Sequence, residues 1–581
     1  MTMINLIIDN KPVTVEEGTT ILEAAKQINI KIPALCYMDL GELKMVNKVS
    51  SCRICSVEVE GRRNLAPSCS TPVAEGMKIH TNSKRVLFAR RKLLELMLSN
   101  HPFDCLTCNK STDCDLQTLA VQFGVNAKHF KGVRSSFPVD TSSQALRRDP
   151  EKCIMCRRCE TMCNEVQTVG AITAFGRGFN TVVAPAEMQP LVNSNCVYCG
   201  QCVTVCPTGA LTAVGYMKET WDALFDPSKK VVVQVAPAIR AAIGEEFGMP
   251  DGTAVTGKLV AALHQLGFDA VFDTTFAADL TIMEEGKEII ERIQKNENLP
   301  ILTSCCPGWI NFLEFHFPQL KYMPSTSKSP HQMMGTVVKT YYAEKIGVKP
   351  EDMVVISVMP CIAKKYEAAQ PNLETNGIRD VDYVITTREL AKMFKEAGID
   401  LKDMPDEEFD NPLGESTGAG VIFGSSGGVL EAALRTVYEV VTGNKLENID
   451  FAAVRGLAGV KEAFIDLNGR IIRVAATSGL GNARKILEKV EDGSIKYDVI
   501  EIMACPGGCV NGGGQPFCHD RQEKIEARMR AIYEIDHTTK VRKSHENASV
   551  QKLYDEFFGE PGSEKAHQLL HTDYWFDDSK A

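Results

Sequence analysis

Three cysteine-bearing stretches, far apart in the sequence, place the strongest constraint on how this chain folds. They are TSCCPGW at 303–309, MPCIAKK at 359–365 and MACPGGCVNGGGQP at 503–516. Each follows a short apolar run that is typical of a buried strand, so the cysteines are predicted to lie where strands end, the place where sites are built in open α/β layers. Together they supply one thiol more than a four-cysteine iron-sulfur cluster needs. The five thiols are Cys305, Cys306, Cys361, Cys505 and Cys509.

The cysteine content as a whole indicates metal binding. The chain has 21 cysteines in 581 residues. Disulfide frameworks belong to small secreted domains, whereas this length predicts about three to five domains with large cores. Most of the cysteines are closely spaced with hardly any histidine beside them, which favours iron-sulfur clusters over zinc.

Charge and hydropathy exclude several other classes. The net charge of -10, from 64 basic and 74 acidic residues, is spread along the chain and gives no reason to expect nucleic acid. The first residues lack a basic region followed by an apolar core, and no apolar run approaches about 18 residues. We therefore expect a soluble, cytoplasmic protein without membrane contact.

Residues 1–80 are predicted to form a small β-rich unit with one helix, before which Thr20 and Glu23 have capping-box spacing. Four cysteines spaced C-x15-C-x2-C-x13-C resemble the plant-type [2Fe-2S] ferredoxin domain at the start of hydrogenases and of the large iron-sulfur subunit of complex I. A structural zinc is the alternative, since a CxxC pair suits either metal. These cysteines are Cys36, Cys52, Cys55 and Cys69.

Residues 81–145 contain an apolar-periodic helix followed by a histidine and three cysteines spaced H-x3-C-x2-C-x5-C. A lone histidine is more often a surface or core residue, but a fixed offset from three cysteines favours metal ligation. The same two families hold a [4Fe-4S] cluster through one imidazole and three thiolates at this spacing. The corresponding residues are His101, Cys105, Cys108 and Cys114.

Residues 146–215 contain an internal repeat, C-x2-C-x2-C-x3-C, at 153–163 and 196–206. This is the pattern of bacterial two-cluster ferredoxins, in which the fourth cysteine of each run ligates the other cluster. One [4Fe-4S] cluster is predicted to be held by Cys153, Cys156, Cys159 and Cys206. The other is predicted to be held by Cys163, Cys196, Cys199 and Cys202.

Residues 228–581 alternate predicted strands with predicted helices, such as DYVITT before RELAKMFKEAG. This alternation predicts a large α/β domain of two lobes, with the three cysteine stretches between them. The chain as a whole is thus predicted to be an α+β multi-domain protein with three iron-sulfur domains and one catalytic domain.

The three cysteine stretches resemble those of the catalytic domain of [FeFe]-hydrogenases. The whole chain resembles the long form of these enzymes, which has four accessory clusters. The resemblance implies an H-cluster, in which a [4Fe-4S] cluster is linked to a diiron subsite carrying carbonyl, cyanide and an amine-containing dithiolate. It implies that Cys509 bridges to the diiron subsite. The implied cluster ligands are Cys306, Cys361, Cys505 and Cys509.

The resemblance also implies the surroundings of the diiron subsite. Lys364 would offer its ammonium group to a cyanide, although a lysine pair in an isolated motif is more often solvated charge. The rest of the lining is apolar, which keeps bulk water from reactive iron. These lining residues are Ala236, Pro237, Met359, Phe423 and Met503.

Cys305 is the surplus thiol, and the resemblance implies that it passes protons to the bridgehead amine. A thiol can donate and recover a proton without holding charge as tightly as a carboxylate. The implied route continues outward through Glu285, Ser325 and Glu288 to Arg292. Glu285 and Glu288 are three residues apart on a predicted helix and so share a face. Glutamates on a shared face more often form a solvated helix surface.

These features predict an iron hydrogenase that catalyses the reversible conversion of protons and electrons to H2. One alternative is an electron-transfer subunit of the complex I type, which leaves the three C-terminal stretches unexplained. Another is a hydrogenase-derived sensor or cluster-assembly relative without turnover, against which the surplus thiol argues. Cys518 is predicted to be an ordinary thiol.

Two kinds of electron partner are compatible with four accessory clusters. The chain could work with ferredoxin alone, or with a flavin- and NAD(P)-binding iron-sulfur subunit and a small [2Fe-2S] subunit in an electron-bifurcating complex. No Rossmann fingerprint is present, so any NAD chemistry belongs to a partner.

Overall fold

The computed structural model describes residues 2–39, 49–126, 130, 132–518 and 522–574. Among these residues no helix is both long enough and apolar enough to span a bilayer. The chain divides into two compact units. The first comprises Met1–Glu165, Gly170–Ser194 and Val205–Thr212, and the second comprises Val166–Val169, Asn195–Thr204 and Ala213–Ala581.

The first unit begins with a five-stranded sheet in the order β2-β1-β5-β3-β4. Its strands are β1 Met3–Ile8, β2 Lys11–Glu16, β3 Ser56–Val59, β4 Ala66–Pro67 and β5 Lys78–His80. Helix α1 (Ile21–Gln27) packs on this sheet and begins with the predicted capping box between Thr20 and Glu23. The β-rich unit with one helix is therefore confirmed.

The predicted apolar-periodic helix is confirmed as α2 (Lys84–Asn100). Its Arg90 is buried and donates hydrogen bonds to the carbonyl oxygens of Ile54 and Ser56, each 2.9 Å away. This guanidinium ties the helix to the loop that carries the CxxC pair. The remaining elements up to residue 213 are α3 Asp115–Gln122, β6 Leu146–Arg148, α4 Arg158–Thr161, β7 Thr173–Phe175, β8 Val182–Ala184, α5 Gln201–Val205 and β9 Leu211–Ala213.

The second unit contains two separate four-stranded sheets. Its strands are β10 Lys230–Val235, β11 Ala270–Asp273, β12 Ile301–Leu302, β13 Met353–Met359, β14 Glu374–Thr375, β15 Ile378–Arg379, β16 Tyr383–Thr386, β17 Val460–Leu467, β18 Arg470–Ser478 and β19 Val499–Met503. The first sheet is all parallel in the order β11-β10-β13-β16. The second has the order β12-β19-β18-β17 and is parallel except for the β17–β18 pair.

Helices cover both sheets of the second unit. They are α6 Met217–Phe225, α7 Thr256–Leu266, α8 Thr274–Lys295, α9 Pro307–His316, α10 Pro330–Val337, α11 Ala343–Ile346, α12 Ala363–Glu367, α13 Thr387–Glu396, α14 Gly418–Ile422, α15 Gly428–Thr442, α16 Leu480–Glu491, α17 Gln522–Thr538, α18 Ala548–Leu553 and α19 Glu564–Leu570. Each sheet has its own hydrophobic core. The predicted α/β domain of two lobes is confirmed.

Candidate active site and iron-sulfur centres

The three C-terminal cysteine stretches meet where strands of the two sheets end. Cys306 follows β12 and precedes the first residue of α9, Cys361 follows β13, and Cys505 follows β19. Cys509 begins a single helical turn. The sulfurs of Cys361 and Cys306 are close enough to act electrostatically on both Cys505 and Cys509. Parallel strands from two lobes thus bring four distant thiols together.

The glycine-rich stretch after Cys509 allows this approach. A Cβ atom on Gly512 would lie 2.2 Å from the carbonyl oxygen of Pro360. The amide of Gly514 donates to the same oxygen over 2.7 Å. Only residues without a side chain permit this contact, which holds Cys509 beside Cys361.

The environment of these four thiols fits a cluster of iron. Desolvation raises the pKa of Cys361 to about 12, and it also raises the pKa of Cys306. The sulfur of Cys306 raises the pKa of Cys361 further, so thiolates are disfavoured here unless a cation binds them. The backbone amide of Ala504 points at the sulfur of Cys306 over 3.4 Å, the kind of hydrogen bond that iron-bound sulfur receives.

The fifth thiol, Cys305, lies close to an acid as well as to the other sulfurs. Desolvation raises its pKa well above the ordinary value, and the charge of Glu285 raises it further. The Cys305 side chain is therefore a protonated thiol. Its carbonyl oxygen accepts a hydrogen bond from the Lys364 ammonium over 2.9 Å.

A row of polar side chains leads away from Cys305 along α8. Glu285 is buried, and its carboxyl group is hydrogen-bonded to Ser325. Desolvation and the charge of Glu288 raise the pKa of Glu285 to about 8. The hydroxyl of Ser325 donates to Glu288 over 2.7 Å. Glu288 in turn pairs with Arg292, which lies near the surface. The structure thus brings all five predicted relay residues into one row.

Lys364 is buried and has two protein partners. Its ammonium lies 2.7 Å from Glu367 and 2.9 Å from the carbonyl oxygen of Cys305. A lysine has three N–H donors, so one is left for a ligand. The solvated alternative is excluded by this burial.

The predicted apolar lining is buried and lies at strand ends. Met359 and Met503 are the last residues of β13 and β19, and Ala236 and Pro237 directly follow β10. Phe423 follows α14, and all five side chains are buried. Such a lining limits the access of water to the four thiols.

The four cysteines of the first domain converge as well. The thiol of Cys36 is hydrogen-bonded to those of Cys52 and Cys69, and Cys69 is hydrogen-bonded to Cys55. Four sulfurs in mutual contact, from a loop on a β-sheet, fit an iron-sulfur cluster.

His101 has the arrangement of a metal ligand. Its Nδ1 atom lies 2.7 Å from the carbonyl oxygen of Pro102, whereas its buried Nε2 atom has no hydrogen-bond partner among the described residues. Desolvation lowers the pKa of the imidazole, which favours the neutral form that binds metals. A backbone bond to Nδ1 directs the lone pair of Nε2 outward.

The structure brings together one of the two cysteine sets predicted for the repeat. A single cavity in the first unit is lined by four of its thiols, together with Arg148, Ile172 and Val183. These thiols are Cys153, Cys156, Cys159 and Cys206, the set predicted for one cluster. Cys163 belongs to the first unit and Cys196, Cys199 and Cys202 to the second, so the other set stays a prediction.

Sequence reasoning missed two buried residues beside the site, Glu367 and His331. Glu367 could have been found, because it lies three residues after Lys364 on the same short helix. His331 carries no local signal, since it reaches Glu367 only through the fold. Cys199 was assigned to a cluster, but its proximity to Cys505 was not foreseen.

Comparison with known families agrees with this geometry. A model described as the C-terminal domain of the iron only hydrogenase large subunit matches residues 229–513, and the iron hydrogenase small subunit model matches residues 522–575. Three iron-sulfur models match the remainder. A 2Fe-2S binding domain matches residues 1–84, an NADH-ubiquinone oxidoreductase-G iron-sulfur region matches 90–129, and a 4Fe-4S dicluster domain matches 152–210.

Two relatives match nearly the whole chain, and a solved structure matches a large part of it. NADP-reducing hydrogenase subunit HndD of Solidesulfovibrio fructosivorans is 54% identical over 99% of both chains. Iron hydrogenase 1 of Clostridium pasteurianum is 41% identical over 98% of this chain and 100% of its own length. The structure of apo [FeFe]-hydrogenase HydA1 from Chlamydomonas reinhardtii is 43% identical, with a TM-score of 0.56 over 62% of this chain and 98% of HydA1.

These matches set aside the electron-transfer subunit and the sensor, because they cover the catalytic stretches as well as the N-terminal domains. The chain belongs to the iron-only hydrogenase family and is an iron hydrogenase with accessory iron-sulfur domains, an enzyme that reversibly reduces protons to H2.

Proposed function

We propose that the four converging thiols hold the [4Fe-4S] part of the H-cluster, with Cys509 as the bridge to the diiron subsite. The observation that carries this proposal is that four thiols lie within electrostatic reach of one another, whereas the charge that acts most strongly on Cys305 is that of Glu285. When bound, the H-cluster supplies the site where H2 is formed or cleaved. Lys364 directs its third donor at a cyanide of the subsite.

Protons reach this site along the row that begins at Cys305. The Cys305 thiol holds a proton at neutral pH, and Glu285, with a pKa of about 8, both gives and takes a proton near that pH. Ser325 passes a proton between the two glutamates through its hydroxyl. Arg292 holds the outermost carboxylate, Glu288, in place.

The cysteine sets described above, together with His101, would hold one [2Fe-2S] and three accessory [4Fe-4S] clusters, which would carry electrons. Cys199 is the accessory ligand beside the catalytic thiols, since it acts electrostatically on Cys505. Cys199 would therefore hold the accessory cluster that supplies electrons to the H-cluster.

The electron partner is an NAD(P)-linked flavoprotein with a small [2Fe-2S] subunit. Support comes from similarity along the full chain to a relative named as an NADP-reducing hydrogenase subunit. Purification of the native protein under anaerobic conditions should yield both subunits with it. A chain that purifies alone and reacts with ferredoxin at full rate would favour the ferredoxin alternative.

Iron content tests the cluster assignments. The matured protein is expected to contain about 20 irons per chain, from one [2Fe-2S] cluster, four [4Fe-4S] clusters and the diiron subsite. The measurement is anaerobic metal analysis after maturation with the dedicated assembly enzymes. Stoichiometric zinc, or far less iron, would contradict the assignment of the N-terminal cysteines.

His101→Ala tests the imidazole ligand. The variant should lose its histidine-bound cluster or shift the reduction potential of that cluster, because imidazole and thiolate differ in charge. Redox titration followed by electron paramagnetic resonance measures the shift, with His80→Ala as a control on an exposed histidine paired to Glu60. An unchanged reduction potential together with an unchanged iron content would show that His101 is not a cluster ligand.

A further inference from the structure

A buried row of polar groups lies behind the ammonium of Lys364. The ammonium is 2.7 Å from Oε2 of Glu367, and the same oxygen is 2.5 Å from Nε2 of His331. The Nδ1 atom of His331 is 3.1 Å from the hydroxyl of Ser357. Three elements contribute, since Lys364 and Glu367 lie on α12, His331 on α10 and Ser357 on β13.

The row carries one positive charge, on Lys364, and one negative charge, on Glu367, which form an ion pair. Desolvation alone would raise the pKa of Glu367, but Lys364 and His331 outweigh it and lower that pKa to about 2. Desolvation lowers the pKa of His331, so this imidazole is neutral and its Nε2–H donates to Glu367. Desolvation likewise acts against the Lys364 charge, but Glu367 outweighs it and raises the lysine pKa.

A role in stability alone is a weak explanation for this row. Taking two charges out of water costs several kcal/mol, and well-packed apolar residues often serve a core equally well. The row also ends at a functional position, because the same ammonium contacts the carbonyl oxygen of Cys305. Its outer end is also buried, since Ser357 and His331 are almost completely shielded from solvent.

We propose that His331 and Glu367 are positioning residues that keep the Lys364 ammonium aimed at the cyanide of the diiron subsite. His331 orients the Glu367 carboxylate. This carboxylate and the Cys305 carbonyl oxygen each accept one N–H of the ammonium, and the third N–H faces the ligand. This inference rests on the proposed function of the four thiols and Lys364.

Infrared spectra of the matured full chain test the inference through the cyanide stretching bands. Glu367→Gln and His331→Leu should each shift the band of the cyanide that Lys364 contacts. His331→Gln should restore the wild-type band, because its amide N–H can still donate to Glu367. Glu389→Gln is the matched control, since Glu389 forms an equally buried pair with the adjacent Lys365 at 2.9 Å.

Each outcome of this experiment decides between the interpretations. Loss of the diiron subsite in Glu367→Gln and His331→Leu, with retention in Glu389→Gln, also supports the inference, because a misdirected lysine fails to hold the cyanide. Unshifted bands in both variants, or equal shifts in the control, would overturn it. Absence of cyanide bands from the matured wild-type protein would instead overturn the proposed function.

Discussion

Cys305→Ser is expected to lower hydrogen turnover by about two to four orders of magnitude, the range over which a positioned acid or base contributes. A hydroxyl has a similar shape but is a far weaker acid than a thiol, so proton delivery slows at the first step of the row. The clusters should remain, because Cys305 is the surplus thiol and Glu285 is the charge that acts on it most strongly. Hydrogen production from an artificial electron donor is measured alongside the carbonyl bands.

The control for this variant is the other surplus thiol, Cys518. It accepts a hydrogen bond from Arg528 over 3.4 Å and donates to Asn511 over 3.8 Å, and neither partner belongs to the row. Cys518→Ser should keep turnover within a few-fold of the wild type. Near-normal turnover in Cys305→Ser with intact bands would show that protons reach the site by another route.

Glu285→Gln is expected to cost at least about two orders of magnitude in turnover while retaining iron. The amide keeps the volume of the side chain but cannot exchange a proton with Cys305 or Ser325. The wild-type carboxyl group should give a protonated-acid infrared band at pH 7. Since its pKa is about 8, that band should fade as the pH rises through this value and should be missing from the variant.

The neighbouring Glu284 provides the comparison for Glu285. It is equally buried, but it bonds to Tyr554, to the amide of Gly562 and to His571 instead of the relay. Glu284→Gln should therefore lose much less activity at the same temperature and pH. If both variants lose activity equally, the effect comes from packing around α8 and not from proton transfer.

Much of the catalytic site could be predicted because its signals are local. Short apolar runs before Cys306, Cys361 and Cys505 predicted strands, and β12, β13 and β19 end at these positions. The spacing of Glu285 and Glu288 on a helix predicted a shared face, and α8 supplies it. Periodicity and strand ends are properties of a few consecutive residues, so a sequence displays them directly.

Long-range contacts could not be predicted in the same way. His331 and Glu367 are separated by 36 residues and meet only because the fold brings α10 next to α12. The free Nε2 atom of His101 depends on a hydrogen bond to a neighbouring carbonyl, which spacing alone does not reveal. The division of the second cysteine repeat between two compact units was also invisible in the regular C-x2-C-x2-C-x3-C pattern.

Cys306 is proposed to be a cluster ligand, whereas its neighbour Cys305 is not. The most direct measurement is iron analysis of Cys305→Ala and Cys306→Ala in the full chain, reconstituted without the diiron subsite. We expect Cys305→Ala to retain about 18 irons, as the wild type does, and Cys306→Ala to lose about four of them. Loss of iron from Cys305→Ala with full retention in Cys306→Ala would contradict the account.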